Sequence, residues 1–139
     1  MDIAAVRAAL GMAPQNVRVG NTQLNCTRHT PNSVTVPAWY PTTVALDYAS
    51  DKGTFNGEPV IEANCLVLTA PEANPEEGQA LLDAYLSDGP TSIKAALEAD
   101  LTLGGVCQTL HVHTIDGYQL YTVGLATYYG ARFRVLILG

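Results

Sequence analysis

Charge is scarce in this sequence. Only 14% of its residues are Asp, Glu, Lys or Arg, and 7 basic residues are set against 13 acidic ones, leaving −6 at pH 7. So few cations, scattered along the chain, exclude a grip on nucleic-acid phosphates and supply no polybasic face for a membrane surface. Also missing is any apolar run of the roughly 18 residues that a spanning helix needs. There are 3 cysteines, Cys26, Cys65 and Cys107, far apart and outside any C-x-x-C pair. That odd, dispersed set argues against a disulfide framework or a structural zinc site and predicts reduced, mostly buried thiols. The opening MDIAAVRAALG carries an acid at position 2 and no basic stretch ahead of an apolar one. It reads as an amphipathic helix and not as a secretion signal. The expected setting is the cytosol, or an assembly built from it.

What is present is apolar surface. At 139 residues, 47% hydrophobic and with a mean hydropathy of +0.11, the chain can bury a real core as one domain over residues 1–139. It is too apolar for disorder. A surface this poor in charge also leaves area to bury against partners.

The middle of the chain holds two short helices. Asn74 reads as an N-cap, Pro75 as the first helical position and Glu77 as the capping-box acid, with Leu81, Leu82, Tyr85 and Leu86 forming one apolar stripe. Asp88-Gly89-Pro90 breaks the run. A second helix starts at Thr91 or Ser92 and carries Ile93, Ala96, Leu97 and Leu101, closing at Gly104-Gly105. Another helix is expected over residues 2–10, with Ile3, Val6 and Leu10 inward and Gly11 at its end. Residues 11–41, punctuated by Pro, Asn and Gly, read as an extended arm or long loop, a kind of segment that is usually functional. It ends at Trp39-Tyr40, the only Trp, between Pro37 and Pro41. This pair reads either as an aromatic plug over the core or as an exposed contact surface.

Strands are expected over residues 42–49 and 59–69, joined through turn signals at Asp51-Lys52-Gly53 and Asn56-Gly57. The near-continuous apolar run of the second implies a central strand covered on both faces, with Glu62 and Asn64 interrupting one of them. Residues 106–114 alternate, with Cys107, Thr109, His111 and His113 on one face. Asp116-Gly117 signals a hairpin, residues 118–122 return, and a last strand over 131–138 sets Phe133, Val135 and Ile137 opposite Arg132, Arg134, Leu136 and Leu138. The order predicts an α+β domain: a mainly antiparallel sheet with two short helices packed on one face, an N-terminal helix and the long arm.

Chemistry is hard to find. His111 and His113 lie two apart on one strand face, the one pattern suited to a metal, but Cys107 is about 13 Å along the strand from His111 and no third ligand stands out. No G-x-S-x-G elbow or phosphate loop is present. The acids Glu76, Glu77, Asp83, Asp88, Glu98 and Asp100 read as solvated faces and caps. The expectation is a non-enzyme, with no catalytic residues, no metal and no cofactor.

One resemblance stands beside this reading. Gly78–Ser87 (GQALLDAYLS) followed by Ser92–Val106 (SIKAALEADLTLGGV), then a β-rich tail with Tyr128-Tyr129-Gly130-Ala131 and a final V-x-I strand, resembles the tail terminator family of long-tailed siphophages of actinobacteria. The likeness covers residues 42–139 and leaves the 11–41 arm out. It implies a structural virion protein of the tail and neck, assembled in the host cytoplasm. Such a protein forms a six-fold homo-oligomeric ring that caps the tail tube and stops its polymerisation. It meets the tube protein on one side and the head connector or stopper on the other, and DNA passes through without specific binding. The same pattern also suits another neck ring (head-completion or stopper) or a tail-tube subunit. A small metal- or ligand-binding domain using His111 and His113 is the remaining alternative. A ring needs two different patches per subunit; the candidates are the Trp39-Tyr40 corner and the Arg132/Arg134 strand face. On the contact-surface reading, Trp39→Ala weakens the ring and leaves the monomer folded.

Overall fold

The computed structural model describes residues 3–19, 22–31, 34–47, 60–71, 73–87, 89 and 92–138. Helix α1 (Ile3–Met12) comes first, followed by three two-residue strands, β1 (Arg18–Val19), β2 (Thr22–Gln23) and β3 (Asn25–Cys26). The long strands β4 (Ala38–Asp47) and β5 (Val60–Pro71) come next, then helices α2 (Pro75–Leu86) and α3 (Ile93–Glu98), then strands β6 (Thr109–Val123) and β7 (Ala126–Leu138). The main sheet runs β3-β4-β5-β7-β6, antiparallel throughout except where β3 lies parallel to β4. This is an α+β domain.

Alternation decides which side of the sheet is buried. Ile61, Ala63, Cys65 and Val67 of β5 and Ala131, Phe133, Val135 and Ile137 of β7 share one face and are almost fully buried. The helices cover that face with their own stripes: Val6 and Leu10 of α1, Leu82 and Tyr85 of α2, Ile93 and Leu97 of α3. The α2 approach is close because Gly78 has no side chain; a Cβ there would stand 2.9 Å from the Tyr129 ring and 3.2 Å from Ala70 Cβ. Thr69 Oγ1 donates to the Gly78 carbonyl at 2.8 Å, fixing the helix to the sheet.

Several expectations are corrected here. Helix α1 does not stop at Gly11, which lies inside it against the backbone of Thr27 and Arg28. The arm does not reach outward. Val17 and Leu24 are buried, Thr27 N donates to the Trp39 carbonyl, and Thr30 Oγ1 donates to the Pro41 carbonyl, so the segment is stitched onto its own sheet. Strand β5 is central and buried on both faces at Val60–Ile61 and over Val67–Ala70; between them Glu62, Asn64 and Leu66 are half-buried. Leu101 is 44% exposed and outside α3. Asp116-Gly117 does not turn the chain. Strand β6 continues through it with a register shift between Asp116 and Gln119, and the reversal occurs at Gly124-Leu125. The turn signals at 51–53 and 56–57, and the break at Asp88 and Pro90, lie outside the described residues.

The two helix starts differ, which gives a paired test. Ser92, fully buried, accepts a hydrogen bond from Ala95 N at 3.1 Å, whereas Asn74 makes no side-chain cap. Ser92→Ala is expected to cost about 1–2 kcal/mol and Asn74→Ala less than about 0.5 kcal/mol in urea denaturation; equal costs would contradict this difference.

Candidate interaction surface

Across the sheet from the helices lies a second face that no helix covers among the described residues. Register places its side chains in rows. Tyr40, Leu66, Arg132 and Asp116 form one; Thr43, Asn64, Arg134 and Thr114 the next; Ala45, Glu62, Leu136 and His111 a third; Val60, Leu138 and Thr109 the last. Side chains two apart on a strand share a face, so Arg132 and Arg134 were brought together by alternation alone.

The charges of this face answer one another. Arg132 Nε donates to Asp116 Oδ1 at 3.0 Å. Arg134 lies between two acids, Nη1 at 4.0 Å from Glu62 Oε1 and Nε at 3.9 Å from Asp116 Oδ2. The hydrogen bond to Asp116, and then its negative charge, raise the Arg132 pKa. These side chains are about 30–40% exposed, and exposed pairs contribute at most about 1 kcal/mol each. The network therefore sets the electrical character of the surface more than it stabilises the fold.

One row is incompletely satisfied. Asn64 Nδ2 donates to Thr43 Oγ1 at 2.7 Å. Asn64 Oδ1, Arg134 Nε and Thr114 Oγ1 are shielded from water, with no hydrogen-bond partner among the described residues. Because Asn64, Arg134 and Thr114 pair across three adjacent strands, the deficit is concentrated in one place.

The Trp39-Tyr40 corner is divided between the two faces. Trp39 is fully buried on the helix side, edge-on to Phe133 with ring centroids 5.1 Å apart, and its Nε1 donates to the Leu10 carbonyl at 3.1 Å. It is a core plug, and the contact-surface reading is corrected: no part of its side chain is available to a partner. Tyr40 points the other way and is also buried, beside arm residues Pro31, Val34 and Thr35, and burial raises its pKa.

His111 and His113 are both exposed on edge strand β6, with His113 at a register shift. Cys107 does not join them: it precedes the strand, is buried, and points its Sγ at the Leu101 carbonyl, 3.6 Å away. Among the described residues no three His, Cys, Asp or Glu side chains gather in a metal-binding group. The TLGG segment is a turn organised by Asp100, whose carboxylate accepts from Thr102 N, Thr102 Oγ1 and Gly104 N. Leu103, Gly104 and Gly105 all have positive φ there.

Burial acts strongly on the neutral acids. It pushes the Cys26 thiol and the Tyr85 phenol each up to about 12, and the Cys65 thiol higher still. Folding thus favours the protonated forms, and this contribution is complete below the ordinary values of 9.0 for Cys and 10.0 for Tyr. It is lost as pH rises from there through the folded values. Stability measured by guanidinium denaturation is expected to hold between pH 7 and pH 8.5 and to fall progressively above about pH 9; a flat profile to pH 11 would contradict burial of these groups.

The fold and this surface define an α+β domain with a helix layer on one face of the sheet and, on the other, an internally charge-paired face that no helix covers among the described residues. No protein-family model matches the chain, and comparison with curated proteins likewise finds no match. No helix among the described residues is long and apolar enough to cross a membrane.

Proposed function

We propose that this chain is a tail terminator of a siphophage, a ring-forming virion protein that caps the tail tube, stops its polymerisation and joins it to the head connector. The observation that carries the reading is the stretch Gly78–Val106, whose sequence resembles that family. It provides helices α2 and α3 and the Asp100-organised turn, and it leads into the β6–β7 hairpin. Two further features support an assembling role: a sheet face that no helix covers among the described residues, and the outer part of the hairpin, residues 117–131, which is uncharged and carries exposed apolar side chains.

The 15-residue edge strand β6 favours a second reading, a tail-tube subunit, because an unpaired edge can add a strand from a neighbour. One experiment separates them. Purified chain is added to polymerising tail-tube protein of the same virus, and tube lengths are measured by negative-stain electron microscopy. A terminator shortens the tubes and leaves a ring at one end. Open-ended tubes formed by the chain alone would support the tube-subunit reading, and tubes of unchanged length would remove the terminator reading.

A further inference from the structure

We infer that the tip of the β6–β7 hairpin of one copy docks on the uncovered sheet face of a second copy, placing Leu125 against the aliphatic end of that face and hairpin backbone over the Asn64–Arg134–Thr114 row. The inference rests on the ring reading and names the subunit contact within it.

Four observations lead there. The first is the row of shielded polar atoms without partners. Asn64 Oδ1 is an acceptor, Arg134 Nε a donor and the Thr114 hydroxyl either, so the row asks for a ligand offering both N–H and C=O, as peptide groups do. The side chains are half-exposed, and rotation about χ angles turns these atoms toward an arriving chain. The second is charge. Arg132, Arg134, Glu62 and Asp116 already neutralise one another, so a charged ligand would have to break a pair while a neutral one would not. Residues 117–131 contain no charged side chain, and this is the hairpin.

The third observation is exposed apolar surface. Among the described residues the large hydrophobics left exposed are Leu101, Tyr118, Leu120 and Leu125, and all but the first belong to this hairpin; Leu125 at its tip is as exposed as in an extended chain, at 107%. At the end of the sheet, a hollow of about 170 Å³ is lined by Val60, Leu136 and Leu138 of the uncovered face, by Leu110 and Ile137 of the other, and by Thr109 and His111 at its rim, a mainly apolar place for a side chain. The fourth is connectivity. The hairpin continues the ladder of its own sheet from Thr109–Leu138 to Val123–Ala126, so it extends in the plane of the face and cannot fold back over it. A hairpin seated on this face therefore comes from another copy, and because the two patches differ the contact is head-to-tail, the kind that closes rings.

Sedimentation velocity on the full chain, from about 1 µM to about 0.5 mM, reads the association. The wild type is expected to self-associate. Leu125→Asp should weaken this at least about tenfold with no change in melting temperature, since Leu125 touches nothing in its own fold. Asn64→Leu should weaken it too with little change in melting temperature, because it removes an unpaired acceptor together with the exposed hydrogen bond to Thr43 Oγ1, two effects of opposite sign. A mixture of the Leu125→Cys and Leu136→Cys variants should form a disulfide-linked dimer that neither forms alone. A wild type that stays monomeric and uncross-linked throughout overturns the contact, as does association that both substitutions leave unchanged. If Leu125→Asp limits tube length as well as wild type, the contact fails and the terminator reading stands. If association is as expected but tube length is unaffected, only the terminator reading fails.

Discussion

Trp39→Ala is expected to destabilise the domain by about 3–5 kcal/mol, the range for removing a large buried aromatic. A domain of this size has only about 5–15 kcal/mol in total. The cost has three sources. The side chain is fully buried, so the truncation leaves a cavity between α1 and the sheet. The edge-on contact with Phe133 is lost. The Leu10 carbonyl loses the indole Nε1 donor at 3.1 Å and keeps only the longer bond from Ala13 N at 3.4 Å, a further loss of about 1 kcal/mol. Guanidinium denaturation followed by far-UV circular dichroism measures the effect independently of the lost fluorophore. A loss below about 1 kcal/mol, accompanied by weaker self-association, would restore the contact-surface role for Trp39 that the burial argues against.

Gly130→Val should be nearly as damaging, for the opposite reason. Gly130 sits in β7 opposite Leu68 of the central strand. A Cβ at that position would lie 2.5 Å from the Val67 carbonyl oxygen, 2.7 Å from Leu68 Cδ2 and 3.0 Å from Tyr121 Cδ2. The first of these is backbone in the middle of the sheet, so relief requires moving β5 or β7 at the ladder that joins the helix-covered core to the uncovered face. Overpacking of this kind costs about 1–3 kcal/mol and more when backbone must shift; we expect about 3 kcal/mol, with an unchanged denaturant m-value. Gly130→Ala should show most of the same loss, because the clash begins at Cβ. A neutral alanine variant would mean that the strands separate there more easily than the packing indicates.

Much of the fold was legible because its determinants are local. The stripes of α1, α2 and α3 repeat at helical spacing, and the alternation of Phe133, Val135 and Ile137 with Arg132 and Arg134 names both faces of β7 without reference to any other strand. The α+β class follows from those periods and their order. Local signals failed where longer-range pairing outweighed them. Asp116-Gly117 has the composition of a tight turn, yet β6 runs on through it, with Gly117 at φ 66 absorbed in the register shift. Pairing along the whole of β7 satisfies more backbone groups than an early reversal would. The 11–41 segment reads as an arm because Pro, Asn and Gly punctuate it; what holds it is hydrogen bonding to β4, which its own composition does not encode.

The candidate surface divides in the same way. By itself the sequence determined that Arg132 and Arg134 share a face and that residues 117–131 are uncharged, because each depends only on residue type and a period of two; that Trp39 and Tyr40 belong to strand β4 and so lie on opposite faces was decided by the sheet. Tertiary structure decided which face the helices cover, and therefore that Trp39 is a plug and the arginine face is open. It also decided that Asn64, Arg134 and Thr114, distant in the chain, stand side by side with unpaired polar atoms. That row exists only through the register of three strands, and register is fixed by how the whole sheet buries its other face against the helices.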